Sequence, residues 1–548
     1  MHSTDALDLS PYVGRWVALV RRRVAGVGRT ADEATHAAHA ACSKEKPELY
    51  FVYKDNWQEF PLLRRLWSFI GQQGVEALLV GGAVRDGLLG RALHDLDFVV
   101  AGDAMALAVA VSRAFGGALV PLDRERDIAR VALRHQGRTF DLDFARRQGD
   151  DWVTDLRLRD FTVNAIAIDR AGHYLDPLDG REDLKAAQLR VTHADALRDD
   201  PLRTLRAVRL VAELGLTIEP QTVAWIQRDA PLLPVAAAER VRDEFVRILD
   251  APGACRHLAL MAELGLLEQV LPEAVALAQV QQSAPHQWDA WTHTRLTVAA
   301  LEQILDVVMA CRSIGGGAAV LPVPGWVWGD LEQQLGPLRA DLRPHLCQVV
   351  SDVRERRFVL KLAALLHDVG KSQTRTVGED GRVHFYEHEA LGVDVATRRL
   401  QALRFSSDEI TLVRTAVAHH LRPGQLAQTR RLTCRAIYRY FKATGDVGVE
   451  IGLLSLADTL AIWGPTLSGK RWQRQLQVVT ALLEAFFDRP QVVFPAPLID
   501  GHELMEALTL SPGPEVGRLL EAIREAQAIG TVKTREAALA LAAELYQG

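Results

Sequence analysis

Between residues 62 and 191 the hydrophobic positions come in short runs, each set off by glycine or by charged turns. Ala77-Leu78-Leu79-Val80 is one such run, and residues 97–100, 129–133, 139–144 and 165–168 are others. Runs this short predict strands, while helical periodicity over residues 105–114 predicts a helix between them, so this region reads as an α/β head. After Thr192 the strand pattern stops. Residues 202–214, 222–226, 240–249 and 255–264 carry apolar side chains at helical spacing. Residues 315–329, rich in Gly and Pro, predict a linker or insertion, and helices resume from residue 353 to about residue 487. Pro490, Pro495 and Pro497 mark a boundary before a last helical segment. Residues 1–60, with a basic Arg21-Arg22-Arg23 cluster, read as an extension that is helical in part.

Composition narrows the class. At 548 residues the chain is too long for one core, and ~150 residues per domain implies three or four units. Charges nearly balance, 64 Lys+Arg against 69 Asp+Glu, which excludes a protein basic all over but leaves local cationic grooves. The five cysteines lie apart with no C-x-x-C pair, so neither a disulfide framework nor a thiolate zinc site is expected. No uninterrupted apolar stretch reaches ~18 residues, so no membrane span is expected. Arg15 breaks the apolar stretch of residues 12–20, and Asp5 and Asp8 argue against a leader, which points to a cytoplasmic protein.

Candidate chemistry begins where the run 77–80 meets Gly81-Gly82, followed by Arg85 and Asp86. Glycines there let backbone approach a ligand, although a plain tight turn has the same sequence. Asp95 and Asp97 add weight. Two residues apart on a strand, they share one face at ~7 Å between Cα atoms, and such carboxylates repel unless a cation lies between them. Oxygen donors suit Mg²⁺ bridging to a triphosphate, where one ion acidifies an attacking hydroxyl and another steadies the leaving group. Asp141 and Asp143 again share a strand face. A solvated acidic turn is the bland alternative, disfavoured by the apolar Phe98-Val99-Val100 beside it. Further on, Asp199 or Asp200 can cap a helix whose first turn holds Pro201 and whose one face carries Arg203 and Arg206.

These segments, in order, resemble the five motifs of the class II tRNA nucleotidyltransferases and bacterial poly(A) polymerases. Gly81-Gly82-Ala83-Val84-Arg85-Asp86 with Asp95-Leu96-Asp97 resembles the first, and Arg159-Asp160-Phe161-Thr162-Val163-Asn164 the second. Asp176-Pro177-Leu178-Asp179-Gly180 resembles the third, Asp199-Asp200-Pro201-Leu202-Arg203 with Arg206 the fourth, and Glu239-Arg240-Val241-Arg242-Asp243-Glu244 the fifth. The resemblance implies a polymerase-β-like nucleotidyltransferase head, a small mixed sheet with helices, in residues 61–192 and a helical, RNA-binding neck in 193–280. It implies that Asp95 and Asp97 hold catalytic Mg²⁺ and that Asp141 is a further acid. Gly81, Gly82, Arg85, Arg159, Asp160, Asn164 and Arg206 would hold the nucleotide, and Asp200 with Arg203 would read its base. Cytosine and adenine each offer an amine beside a ring acceptor, matching carboxylate and guanidinium, so an Asp/Arg pair selects CTP and ATP without a template. The partner implied is tRNA and the product a CCA end. Leu158 and Asp199 depart from the usual Arg and Glu. Residues 120–128 lack the basic signature of the poly(A) polymerases and are expected to include a flexible loop. An A-adding or CC-adding enzyme of a split pair stays open.

In the helical half, residues 360–371 form an apolar helix ending in His367-Asp368 and Gly370. His293 lies upstream, Asp458 downstream, and His388 and His419-His420 between. Imidazoles with carboxylates suit Mn²⁺, Ni²⁺, Co²⁺, Fe²⁺ or Zn²⁺ more than Mg²⁺ alone. The order resembles the HD phosphohydrolase superfamily, and the resemblance assigns residues 281–488 to such a domain. It implies His293, His367, Asp368 and Asp458 as primary metal ligands, with His388 and His420 supplementary. A phosphomonoester or a 2′,3′-cyclic phosphate is the expected substrate, and a vestigial, structural domain the alternative. Residues 489–548 resemble a C-terminal helical piece that holds the tRNA body, with Arg430, Arg431, Arg471 and Arg474 as candidate phosphate contacts. Two other readings are a hydrolase whose head only binds RNA and a non-catalytic RNA chaperone. The oligomeric state is left open.

Overall fold

A computed structural model of the chain describes residues 8–21, 23–41, 47–53, 60–93, 95–310 and 321–547. Arg22 and residues 315–320 of the Gly-rich stretch lie outside the described residues. The chain divides into two compact units, Met1–Ala236 and Ala237–Gly548.

The first unit is built on a seven-stranded mixed sheet. Its spatial order is Tyr174–Leu175, Ala167–Ile168, Ala77–Val80, Asp95–Val100, Arg138–Arg146, Ile128–His135 and Ala118–Asp123. Every neighbouring pair is antiparallel except Asp95–Val100 with Arg138–Arg146, which run parallel with Asp95 opposite Asp141 and Asp97 opposite Asp143. The period-2 pleat turns Leu96, Phe98, Leu142 and Phe144 into the core and leaves the four acids on the other face. Phe98 stacks on Phe144 at 5.3 Å, with Trp67 edge-on to Phe98, a pairing of ~1 kcal/mol beyond the area buried. A register slip of one residue would bury the acids, so this core fixes their direction.

Several sequence expectations need correction. Residues 118–123 form an edge strand of a hairpin with Ile128–His135, so that within residues 120–128, expected to include a loop, residues 124–127 form the connecting turn. This strand is mostly exposed and contains Pro121, which an edge strand tolerates, so it carries no alternating signal. Only Ala167–Ile168 of the expected strand 165–168 is strand, because a 3₁₀ turn, Thr162–Asn164, precedes it. The N-terminal region is helical in part, as expected, but it also carries strands. It forms a three-stranded sheet, Arg23–Gly28, Trp16–Val20 and Glu48–Phe51, on which the helix Ala31–Ala41 lies. Added Cβ atoms at Gly26 and Gly28 would stand 2.2 Å and 2.5 Å from Ala34 backbone, so these glycines allow the close packing.

Past Thr192 short ladders persist: Thr217–Ile218 beside Gln188–Leu189, and the hairpins Val349–Ser351 with Arg354–Glu355 and Arg375–Val377 with Val383–Phe385. Two or three residues are too few to leave a strand period in the sequence. The second unit is otherwise helical. Its centre packs Ala290–Met309 against Arg356–Leu366 and Gly448–Trp463. Among the described residues, the one stretch long and apolar enough to cross a membrane, Cys434–Thr466, is 78% buried over its most apolar window, as core helices are. Residues 498–545 carry a small core of their own around Leu504, Leu519 and Ile523. Of the cysteines, Cys255, Cys347 and Cys434 are free thiols, the first buried and the second exposed.

Candidate functional site

The parallel pair of strands sets an acid row on the head. Asp95 is exposed and Asp97 half-buried, each beside the acid opposite it, Asp141 and Asp143. Arg130, directly across from Asp143 on the antiparallel neighbour, donates Nε and Nη2 to Asp143 at 2.8 Å each and Nη1 to Asp141 at 2.8 Å. Burial and the charges of Asp143 and Asp95 raise the Asp97 carboxyl to about 6, against the pull of Arg159 and Arg130. Gly81, at φ +72, closes the row from the side: a Cβ there would lie 3.3 Å from Arg159 Nη1 and 3.4 Å from Asp97 Oδ2. Carboxylate oxygens short of positive charge, beside a gap that only glycine leaves open, fit a hard divalent cation.

A second network ties the first, second and fourth sequence motifs together. Arg85, buried, donates to both oxygens of Asp86 at 2.9 Å and to Asn164 Oδ1 at 2.5 Å. The Asn164 amide donates to Asp160 Oδ1 at 3.0 Å, and Arg206 donates to Asp160 Oδ2 at 3.1 Å. Burial would raise the Asp160 pKa, but Arg206, Asn164 and the Phe161 N–H together hold it below the ordinary value. Arg203 donates Nη1 to the Ala196 carbonyl at 3.0 Å and Nη2 to the Leu158 carbonyl at 3.1 Å. Leu158 thus contributes through its backbone, which any residue supplies, while its side chain is 40% exposed. Asp200 Oδ1 accepts from the Leu202 N–H at 3.2 Å, and Asp199 lies 3.6 Å from His193. Arg203 and Asp200 therefore flank the start of the helix Leu202–Leu214, beside the second motif.

In the second unit the six predicted HD residues converge. His293 Nε2 lies 3.3 Å from Asp368 and 3.1 Å from Asp458, and His367 Nε2 lies 3.2 Å and 3.7 Å from the same carboxylates. Asp368 turns its other oxygen to His388 at 3.4 Å and His420 at 3.7 Å. Two donor sets result, His293, His367 and Asp458 in one and Asp368, His388 and His420 in the other. Nδ1 of His367, His388 and His420 each meets a backbone carbonyl three residues back, at 2.8, 2.9 and 2.8 Å. A carbonyl requires Nδ1–H there, so Nε2 carries the lone pair toward the chamber, the arrangement of metal-binding histidines. Those Nε2 atoms, and His293 Nε2, are buried without a hydrogen-bond partner, the property a metal ion satisfies.

The electrostatics agree. Burial works to lower the His367 pKa, yet Asp368 and Asp458 carry it to about 10, so the carboxylates demand a positive charge. Burial and the neighbouring charge of His367 push His420 down to about 3, keeping its imidazole neutral. His419 stays outside both donor sets. Sequence reasoning missed three groups: Arg130 in the head, His286, whose ring lies 5.1 Å from that of His293, and Lys371, which donates to Asp368 at 2.6 Å. Lys371 follows the His-Asp pair closely and was legible; the other two depend on pairing across the fold.

Comparison with known proteins places this geometry. Residues 77–190 match the poly A polymerase head domain, 215–277 the probable RNA and SrmB-binding site of polymerase A, and 334–462 the HD domain. His293 lies upstream of that last match yet inside the same chamber. The chain is 34% identical over 472 residues to the A-adding tRNA nucleotidyltransferase of Deinococcus radiodurans, covering 85% of this chain and 94% of the relative. The chain belongs to the tRNA nucleotidyltransferase family.

Other members of the family match as well. A CC-adding tRNA nucleotidyltransferase of Thermus thermophilus is 33% identical over 471 residues, 85% of this chain and 92% of the relative. A CCA-adding enzyme of Geobacillus stearothermophilus is 36% identical over 233 residues, 40% of this chain and 56% of that enzyme. Among solved structures, a CCA-adding enzyme with ATP aligns at TM-score 0.58 and 20% identity, over 89% of this chain and 96% of that one. A Thermotoga maritima CCA-adding enzyme complexed with tRNA aligns at TM-score 0.55 and 20% identity, over 89% and 96%. At that identity the likeness establishes the fold. As a tRNA nucleotidyltransferase the protein is an enzyme, and its head and HD domain both belong to classes that use divalent metal ions.

Proposed function

We propose that this tRNA nucleotidyltransferase completes the 3′ end of tRNA with C, C and A, using CTP and ATP in the cytoplasm without a nucleic-acid template. The observation that carries the reading is the acid row Asp95, Asp97 and Asp141 beside Gly81 and Arg159, next to the Asp160–Asn164–Arg206 network. Asp95 and Asp97 hold Mg²⁺, and the ion supplies charge neutralisation at the triphosphate and a more acidic attacking hydroxyl. The terminal ribose oxygen bonds to the α-phosphorus as the bond to pyrophosphate breaks, and the hydroxyl proton leaves to solvent. Arg159 faces the phosphates, Asp160 and Asn164 orient the sugar, and Arg85 holds Asn164 in place. Asp200 accepts from the base amine while Arg203 donates to the ring acceptor.

A second reading has a specific observation behind it. Four relatives matched over more than nine-tenths of their length are one A-adding and three CC-adding enzymes, so membership of a split pair fits too. Incubation with tRNA lacking its CCA end, Mg²⁺ and each nucleoside triphosphate separately and together decides. Full CCA addition needs CTP plus ATP, a split enzyme uses one of them, and no addition by any mixture would refute transferase action on tRNA.

For the HD chamber we propose a resident Mn²⁺, Ni²⁺, Co²⁺ or Fe²⁺ held by His293, His367, Asp368 and Asp458, with His388 and His420 as further ligands, and phosphohydrolase activity. Metal analysis of the purified protein together with phosphatase assays tests this. Absence of transition metal and of hydrolysis would leave the chamber a structural core.

A further inference from the structure

His420 and Asp458 form the floor of a cavity of about 710 Å³ that no step above uses. A smaller one of about 350 Å³, lined by Lys371, His286 and Arg382, shares His420 and Asp458 with it, together with Pro285, Leu421 and Ile462. The larger cavity has the volume of a nucleotide site rather than that of a lone phosphate. Its far wall carries Lys470, Arg471 and Arg474, and Asp458, already facing His293, is the one carboxylate among its lining residues. The Arg471 guanidinium lies 3.7 Å from the centre of the Trp463 ring. Gln287 holds the turn beneath that pair, donating to the Trp463 carbonyl at 3.0 Å and to Thr466 Oγ1 at 2.7 Å. Arg474 spends Nε and Nη2 on the carbonyls of Ala427 and Thr429, at 3.2 and 2.6 Å, and so stiffens the wall. Among the described residues, no carboxylate pairs with Lys470 or Arg471.

A flat guanidinium backed by an indole, with free cationic charge beside it, is a platform for an unpaired base. The amides of Gln425 and Gln428 line the same cavity and offer both donor and acceptor to a base edge. We propose that this cavity is a nucleoside subsite of the HD centre: a base stacks on Arg471, and the centre thereby prefers phosphate carried by an unpaired nucleotide to phosphate on a base-free alcohol. The inference rests on the phosphohydrolase reading of the same centre. In the reaction, water oxygen bonds to phosphorus, the phosphorus–oxygen bond to the ribose breaks, and the ribose oxygen takes up a proton from the water.

The test uses the full-length, metal-loaded protein with adenosine 3′-monophosphate and glycerol 2-phosphate as substrates. Calorimetric binding of the phosphonate 3′-deoxy-3′-(phosphonomethyl)adenosine, in which a methylene replaces the scissile ester oxygen, is measured alongside. Arg471→Ala and Trp463→Ala should each raise the ratio of KM for the nucleotide to KM for glycerol 2-phosphate ~10-fold, the loss of one stacked base. Arg471→Lys, which keeps the charge without the plane, should recover little of it. Equal effects on both substrates, or none on either, would overturn the subsite. If the wild-type protein hydrolyses neither substrate, the phosphohydrolase reading fails alone provided the phosphonate binds and Arg471→Ala weakens that binding ~10-fold. If the wild-type protein does not bind the phosphonate, the subsite itself fails.

Discussion

The acid row of the head and the chamber of the helical unit both gather carboxylates that need positive charge, and they meet the need in opposite ways. In the head, Asp95 is exposed, and the charges facing the row are the arginines Arg130 and Arg159, which strand pairing brings in from the side. In the chamber, Asp368 is 2% exposed and looks onto imidazoles, three of which, His367, His388 and His420, have Nδ1 already committed to carbonyls. Strands give an open row, from which, on the proposed reading, a cation would come and go with the triphosphate. Helices close a cage, which would retain its cation. On that reading, one chain would carry an exchangeable Mg²⁺ site and a resident site of mixed imidazole and carboxylate donors, each following from the secondary structure that presents it.

The contrast can be broken at either end. Asp97→Asn should cost the largest effect, a ~10³-fold or greater fall in nucleotide addition to tRNA, while leaving the bound transition metal of the chamber unchanged by elemental analysis. His367→Ala should do the reverse, lowering metal affinity ~100-fold while nucleotide addition persists; loss of both together would mean the centres are not independent. Arg203→Ala should sharpen the account of the head by raising misincorporation of UTP and GTP relative to CTP and ATP ~100-fold, read by single-nucleotide extension assays. Arg130→Ala should have the smallest effect, a shift of the acid limb of the pH–rate profile. Asp97 must be ionised to hold a cation, so activity rises as pH passes its pKa of about 6. Removing Arg130 removes a charge that lowers that pKa and leaves Asp143 unpaired, so the limb moves to higher pH, by ~1 unit at limiting Mg²⁺.

Spacing alone carried much of this. Asp95 and Asp97 announced one strand face, and residues 202–214 announced a helix that the structure reproduces as Leu202–Leu214. The convergence of His293, His367, Asp368 and Asp458 came from resemblance, since nothing local links positions so far apart, and so did the roles assigned to Arg159 and Asp160. What stayed hidden depends on pairing. Arg130 clamps Asp143 only because the two stand opposite each other across antiparallel strands, a register no local pattern encodes. The edge strand Ala118–Asp123 has neither a buried face nor alternation to betray it. The sheet of residues 16–51 is held against its helix by alanines and glycines, residues that speak for helix or turn before strand. Leu158 looked like a damaged motif because the interaction it makes uses its carbonyl.

The difference in how the two centres hold metal is measured by nucleotide addition to tRNA after exhaustive dialysis of the protein in metal-free buffer. The dialysed protein should still contain transition metal in the chamber yet add nothing until Mg²⁺ is supplied, with activity then rising as Mg²⁺ is titrated in. Nucleotide addition by the dialysed protein without Mg²⁺, in proportion to the metal it retained, would contradict the assignment of Asp95 and Asp97.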